Sequence, residues 1–97
     1  LITIVTSAIR AKDGTVYFDP ELRPKRHPDV ILLMVQAGLP TPVTKDATQG
    51  FLTSEGRFVD RIEAAGIALA AGQIAQLRWG EELFSEDLWH GNLSDQA

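Results

Sequence analysis

The sequence predicts an α+β fold, a small antiparallel sheet of two hairpins packed against two short helices, and three observations predict it. Two stretches rich in β-branched and aromatic residues are each broken by a turn signal, Asp13-Gly14 in the first and Ser54-Glu55-Gly56 in the second. Each is followed by an apolar run that stops at a glycine, Gly38 and then Gly72. The length of 97 residues suits one compact core, so residues 1–97 are expected to form a single small domain, with a flexible tail from about residue 90.

"ITIVTSAI" and "VYF" predict strands over 2–10 and 15–18. "DPELRPKRHP" holds three prolines, which lack the N–H and restrict their predecessors, so it reads as a loop. Pro28 and Asp29 suit a first helical turn, and helix 1 is expected over 28–37. Val30, Ile31, Leu33, Met34 and Ala37 share one stripe, but Leu32 and Val35 fall on the other side. That helix is therefore expected either to be sandwiched within the domain or to be buried in a self-association contact.

"PTPVTKDATQG" reads as a second loop and "FLTSEGRFV" as the second hairpin. Asp60 stands three residues before Glu63, the spacing of a capping box, and helix 2 is expected over 61–71. Ala64, Ala65, Gly66, Ala68, Ala70 and Ala71 keep it thin enough for close approach on more than one side. "QIAQLRWGEEL" is irregular or a short helix. Ser85 is placed to cap one last turn, with Leu83, Phe84, Leu88 and Trp89 as anchors onto the core.

Hydrophobic content of 44% and charged content of 23% are those of an ordinary globular protein. The absence of cysteine excludes disulfides, thiolate zinc sites and cysteine nucleophiles, and fits a reducing cytoplasm. The longest apolar runs, "VILLMV" and "GIALAAG", fall far short of the roughly 20 residues that span a bilayer, so no membrane contact is expected. Leucine at position 1 suggests that the chain has been trimmed. Net charge is −4, which disfavours non-specific binding to nucleic acid. Eight of nine basic residues nevertheless lie before residue 62, so a small anion meeting a local cluster remains an option.

Two such clusters stand out. Arg23, Lys25, Arg26 and His27 precede helix 1, where free amides and the positive dipole end favour an anion. Arg57 and Arg61 flank the start of helix 2, with Asp60 competing for the same amides. In the competing interpretation these are solvated residues paired with nearby acids. If the fold brings both helix starts to one end, they make one pocket. His27 with Asp29 is a poor metal site, because three or four ligands are needed and the other histidine is His90 in the tail. No metal and no cofactor are expected. The serines lack any elbow or triad context, and there is no Gly-rich phosphate loop, which argues against an enzyme. Phe51, Phe58 and Trp89 read as core anchors, whereas Tyr17 and Trp79 are freer to stack a base. "EELFSED" reads as a solvated acidic face.

"RHPDVI", "GRFVDRIEAAGIALAAGQI" and "LFSEDLW" together resemble the motifs of a group of short, mostly uncharacterised proteins of tailed bacteriophages and prophages. The resemblance covers about residues 9–89; Pro28 and Ile62 depart from it, the first where a second histidine often sits and the second where an acid is common. It implies, by association, an accessory counter-defence factor acting in the cytoplasm of the host bacterium. The resulting expectation is a non-enzymatic, homo-oligomeric protein that sequesters a small phosphorylated, nucleotide-derived immune signal, held by Arg23, Arg26, His27, Arg57 and Arg61 with Tyr17 stacking the base. The alternative is an inhibitor that docks on a host protein through an apolar helix or the acidic C-terminal face. A small nucleotide-acting enzyme comes third.

Overall fold

The computed structural model describes residues 1–19, 26–77 and 80–89. The chain runs β1 (Ile4–Arg10), β2 (Val16–Tyr17), α1 (His27–Gln36), β3 (Thr48–Thr53), β4 (Phe58–Asp60), α2 (Arg61–Ala70) and α3 (Ser85–Leu88). The strands form one antiparallel sheet in the order β2-β1-β3-β4, so the two hairpins join through β1 and β3. This is the expected α+β architecture, with one further short helix.

Both hairpin turns are closed in the same way. Ala11 N donates to Thr15 O at 2.8 Å and Gly14 N to Ala11 O at 2.9 Å; Thr53 N donates to Arg57 O and Gly56 N to Thr53 O, both at 2.9 Å. Gly14 and Gly56 sit at φ +93° and +81°, the left-handed region that a Cβ disfavours. In the first turn Asp13 Oδ1 also accepts from Thr15 N at 2.9 Å, which holds its carboxyl below the usual range.

The main helices also end alike. Gly38 N donates to Val35 O and Leu39 N to Met34 O; Gly72 N donates to Leu69 O and Gln73 N to Ala68 O. That double bond satisfies the last carbonyls and turns the chain back toward the sheet. Beyond α2, Gln73 then clasps β1: its Oε1 accepts from Ile4 N at 2.7 Å and its Nε2 donates to Ile4 O at 2.8 Å. The glutamine acts there as a length of extra strand.

Side chains alternate across a strand, so Ser7, Ile9, Gln49, Phe51 and Val59 share one face, and both main helices cover it. α2 lays Ala64, Ala65 and Ala68 on Ile4, Phe51 and Val59, with Leu83 closing the cluster. α1 lays Val30 and Met34 on Ile9, with Tyr17, Leu39 and Val43 beside them. α1 is not sandwiched within the domain, because Leu32 and Val35 are 55% and 46% exposed.

The second loop is shorter than the sequence suggested, since Thr48–Gly50 belong to β3. Glycine at position 50 is required by packing. A Cβ there would meet the Val59 carbonyl and come within 2.7 Å of the Phe58 ring, which crosses the outer face of the sheet beneath the Arg10 guanidinium. Phe58 is thus only partly buried, whereas Phe51 is wholly so and Trp89 packs beside it.

Candidate functional site

α1 begins at His27, one residue before the expected start, and that shift puts the imidazole in the core. Its ring stands edge-on to Phe51 with centroids 5.0 Å apart, and Nε2 lies 2.7 Å from Gly50 O. Burial pushes the His27 pKa down to about 4; the Gly50 bond opposes this, nearby Arg61 adds to it, and Glu86 opposes it again. The ring is therefore neutral at pH 7. Nε2–H donates to the carbonyl, and Nδ1 is left as a buried acceptor with no partner among the described residues.

The first turn of α1 has no amide to spare. His27 N donates to Ser85 Oγ at 3.4 Å, Pro28 has none, and Asp29 N and Val30 N both donate to Arg26 O. Asp29 in turn accepts from Arg26 N at 3.2 Å. The free amides expected at this helix start are all consumed, which corrects the simplest anion reading of it. Ser85 likewise does not cap the final turn: it opens α3, Asp87 accepts from Phe84 N, and the Ser85 hydroxyl reaches across to α1.

α2 is capped as expected, with Asp60 Oδ1 accepting from Glu63 N at 2.8 Å. The returning half of the capping box is missing, because the Glu63 carboxylate pairs with Arg57 at 2.7 Å. That exposed pair raises the Arg57 pKa through the bond to Glu63 and its charge. Arg61 points to the other side of α2, since residues two apart on a helix do not face each other. Its terminal nitrogen donates to Gln49 Oε1 at 3.0 Å, and its guanidinium lies 4.8 Å above the Phe84 ring. Burial pushes the Arg61 pKa down against the pull of Glu82 and Glu86.

The two helix starts do converge. The segment Leu83–Glu86 ties them together: Leu83 N donates to Arg61 O, Ser85 Oγ meets His27 N, and the Glu86 carboxylate lies 4.0 Å from Arg26. Glu86 also acts electrostatically on Arg61 and on His27. Arg26 and Arg61, drawn from two helix starts, thus both feel the charge of one half-exposed carboxylate, which Arg26 approaches to 4.0 Å.

Two other expected residues stay apart. Arg57 lies with Glu63 on the far side of α2. Tyr17 pairs with Ile9, which pairs with Gln49, so it stands two strands from Gln49, roughly 10 Å away at ordinary strand spacing, with its ring against the second core. Arg23, Lys25 and Trp79 lie outside the described residues, as does the tail from residue 90. The site residues that the sequence reading missed are Gln49, Phe84 and Glu86. Phe84 and Glu86 sit inside "LFSEDLW", where they read as a core anchor and a solvated acid; nothing in the spelling marks Gln49.

His27 Nε2 is committed to Gly50 O, and Ser7 is wholly buried. Among the described residues no three His, Cys, Asp or Glu side chains group to hold a metal ion, and no helix is long and apolar enough to cross a membrane. Hollows among the described residues lie elsewhere. One of about 440 Å³ sits between the first turn and the loop after α1, where Lys12 and Lys45 are balanced by Asp13 and Asp46. Another, of about 530 Å³, runs along α2 beside Ile2.

Comparison with curated proteins and with solved structures finds no match in either. A family model does match, the one described as phage T4 y16D protein, over residues 3–89. The matched span takes in both hairpins, α1, α2 and α3 and the residues around Glu86. The chain accordingly belongs to the phage T4 y16D protein family.

Proposed function

We propose that this phage protein is a non-catalytic binder of a small phosphorylated, nucleotide-derived molecule, and that it serves the phage by sequestering such a signal in the host cell. The observation that carries the reading is that Glu86 lies 4.0 Å from Arg26 and also acts electrostatically on Arg61. A carboxylate that approaches one guanidinium and feels the charge of a second occupies the kind of place a phosphate prefers, and arginine matches both groups through the same planar fork of donors. Glu86 sits on a four-residue helix and its side chain is 46% exposed, so it is free to swing into water when a doubly charged phosphate arrives. Gln49 and the Phe84 face then hold Arg61 in place.

Sequestration requires binding without turnover. A panel of 5′-mononucleotides and cyclic mononucleotides in a thermal unfolding assay tests this, since a ligand that prefers the folded state raises its stability by mass action. The reading expects a shift with at least one of them and recovery of that ligand unaltered. No shift with any would remove the reading, and a chemically altered ligand would point to an enzyme.

A second reading, docking on a host protein, is favoured by Leu32 and Val35, which α1 presents to solvent at 55% and 46% exposure. It predicts that replacing both by glutamine abolishes binding to that host protein while leaving any nucleotide-induced shift intact.

A further inference from the structure

α2 is small-sided toward the sheet for a visible reason, because Ala64, Ala65 and Ala68 lie on the core. Its opposite side is also small and apolar, with no such reason. Ile62, Gly66 and Ala70 follow one another at helical spacing on that side, Ile62 is 58% exposed, and Leu69 at the margin is 40% exposed. A Cβ on Gly66 would meet no atom within 4 Å beyond its own turn of helix, so nothing among the described residues calls for glycine there. Glycine inside a helix costs about 1 kcal/mol against alanine. An outward helix face normally carries polar side chains; here Glu63 is the charged residue that lines the hollow between α2 and Ile2.

We infer that this face is the contact between two copies of the chain, related by a two-fold axis beside Ile62. The charge pattern selects a second copy over an unrelated partner. Glu63 and Arg57 stand side by side at the rim, 2.7 Å apart and each about half exposed. A two-fold rotation about a point beside them brings the cation of one copy onto the anion of the other, as an isologous interface requires. The existing pair exchanges partners at little cost, because an exposed ion pair contributes little within one chain. Gly66 lets the second backbone approach closely, and Ile62 buries against its own symmetry mate.

Sedimentation velocity on the full chain over a wide concentration range tests the contact. The expected result is a mass of two chains at high concentration. Ile62→Asp and Gly66→Gln should each give a mass of one chain with an unchanged circular dichroism spectrum, and Gly66→Gln should melt no lower than the parent monomer because its helix propensity improves. Arg57→Glu and Glu63→Arg should each be monomeric alone, yet an equimolar mixture should form a heterodimer, since both rim pairs are then opposite in charge. A wild-type chain of single mass throughout would overturn the inference. So would self-association that survives Ile62→Asp, or charge variants that fail to pair on mixing.

Discussion

Acidification should loosen the fold through one buried ring. The His27 pKa is held near 4 in the folded chain against an ordinary value of 6.5, so between those values the unfolded chain binds the proton first. Stability is therefore unaffected by this group above pH 6.5 and is lost progressively as pH falls from 6.5 toward 4. The full difference of about 2.5 pH units corresponds to about 3 kcal/mol, a large part of the stability of a small domain. The cause is structural: a protonated ring would place a charge in a site closed off from water, where the positive charge of Arg61 opposes it further. Urea unfolding at steps between pH 7.5 and 4.5 measures the loss, and His27→Gln removes the titrating group while keeping a donor for Gly50 O. The variant should be less stable at neutral pH yet flatter in its pH dependence, the two curves closing by about 2 kcal/mol or more on acidification. Parallel curves over that range would refute the reasoning, because the shared carboxylates contribute equally to both.

Two further perturbations probe the frame that positions this ring. Gly50→Ala forces a Cβ against the Val59 carbonyl and Phe58, and overpacking of that kind should cost about 1–3 kcal/mol in urea unfolding; an unchanged midpoint would mean that β3 and β4 are not so close. Gln73→Ala strips both partners from the Ile4 backbone, which is 3% exposed, and should cost about 2 kcal/mol with faster amide exchange at Ile4; unaltered protection there would show that the clasp contributes nothing.

Much of this frame is legible in the spelling, and its gaps have physical causes. Asp13-Gly14, Gly56, Asp60 and Gly72 announce their turns and helix ends because each acts through bonds to residues within a few positions. Position 50 misleads, since a glycine after "TKDATQ" reads as a loop residue, whereas it serves a ring eight residues away across the sheet. His27 misleads further. Its partners are Gly50 and Ser85, 23 and 58 residues on, so a histidine in a basic, proline-rich stretch turns out to be neutral and buried. The candidate site follows the same logic: the spelling supplies Arg26 and Arg61 at two helix starts, but their joining by Glu86 depends on where the last short helix docks. Tyr17 fails as a neighbour for the same reason, because strand order sets it beyond β1.

The central claim is that Glu86 stands where a phosphate would bind. Equilibrium titration with whichever nucleotide gives the largest thermal shift, carried out on wild type, Arg61→Ala and Glu86→Gln, tests it through opposite signs. Removing the guanidinium should weaken binding about 10-fold or more, as expected for a charge-assisted bond of 1.5–3 kcal/mol. Neutralising the carboxylate should tighten binding, because the incoming anion no longer has to displace a resident one. Weaker or unchanged binding in Glu86→Gln would contradict the account, whatever Arg61→Ala does.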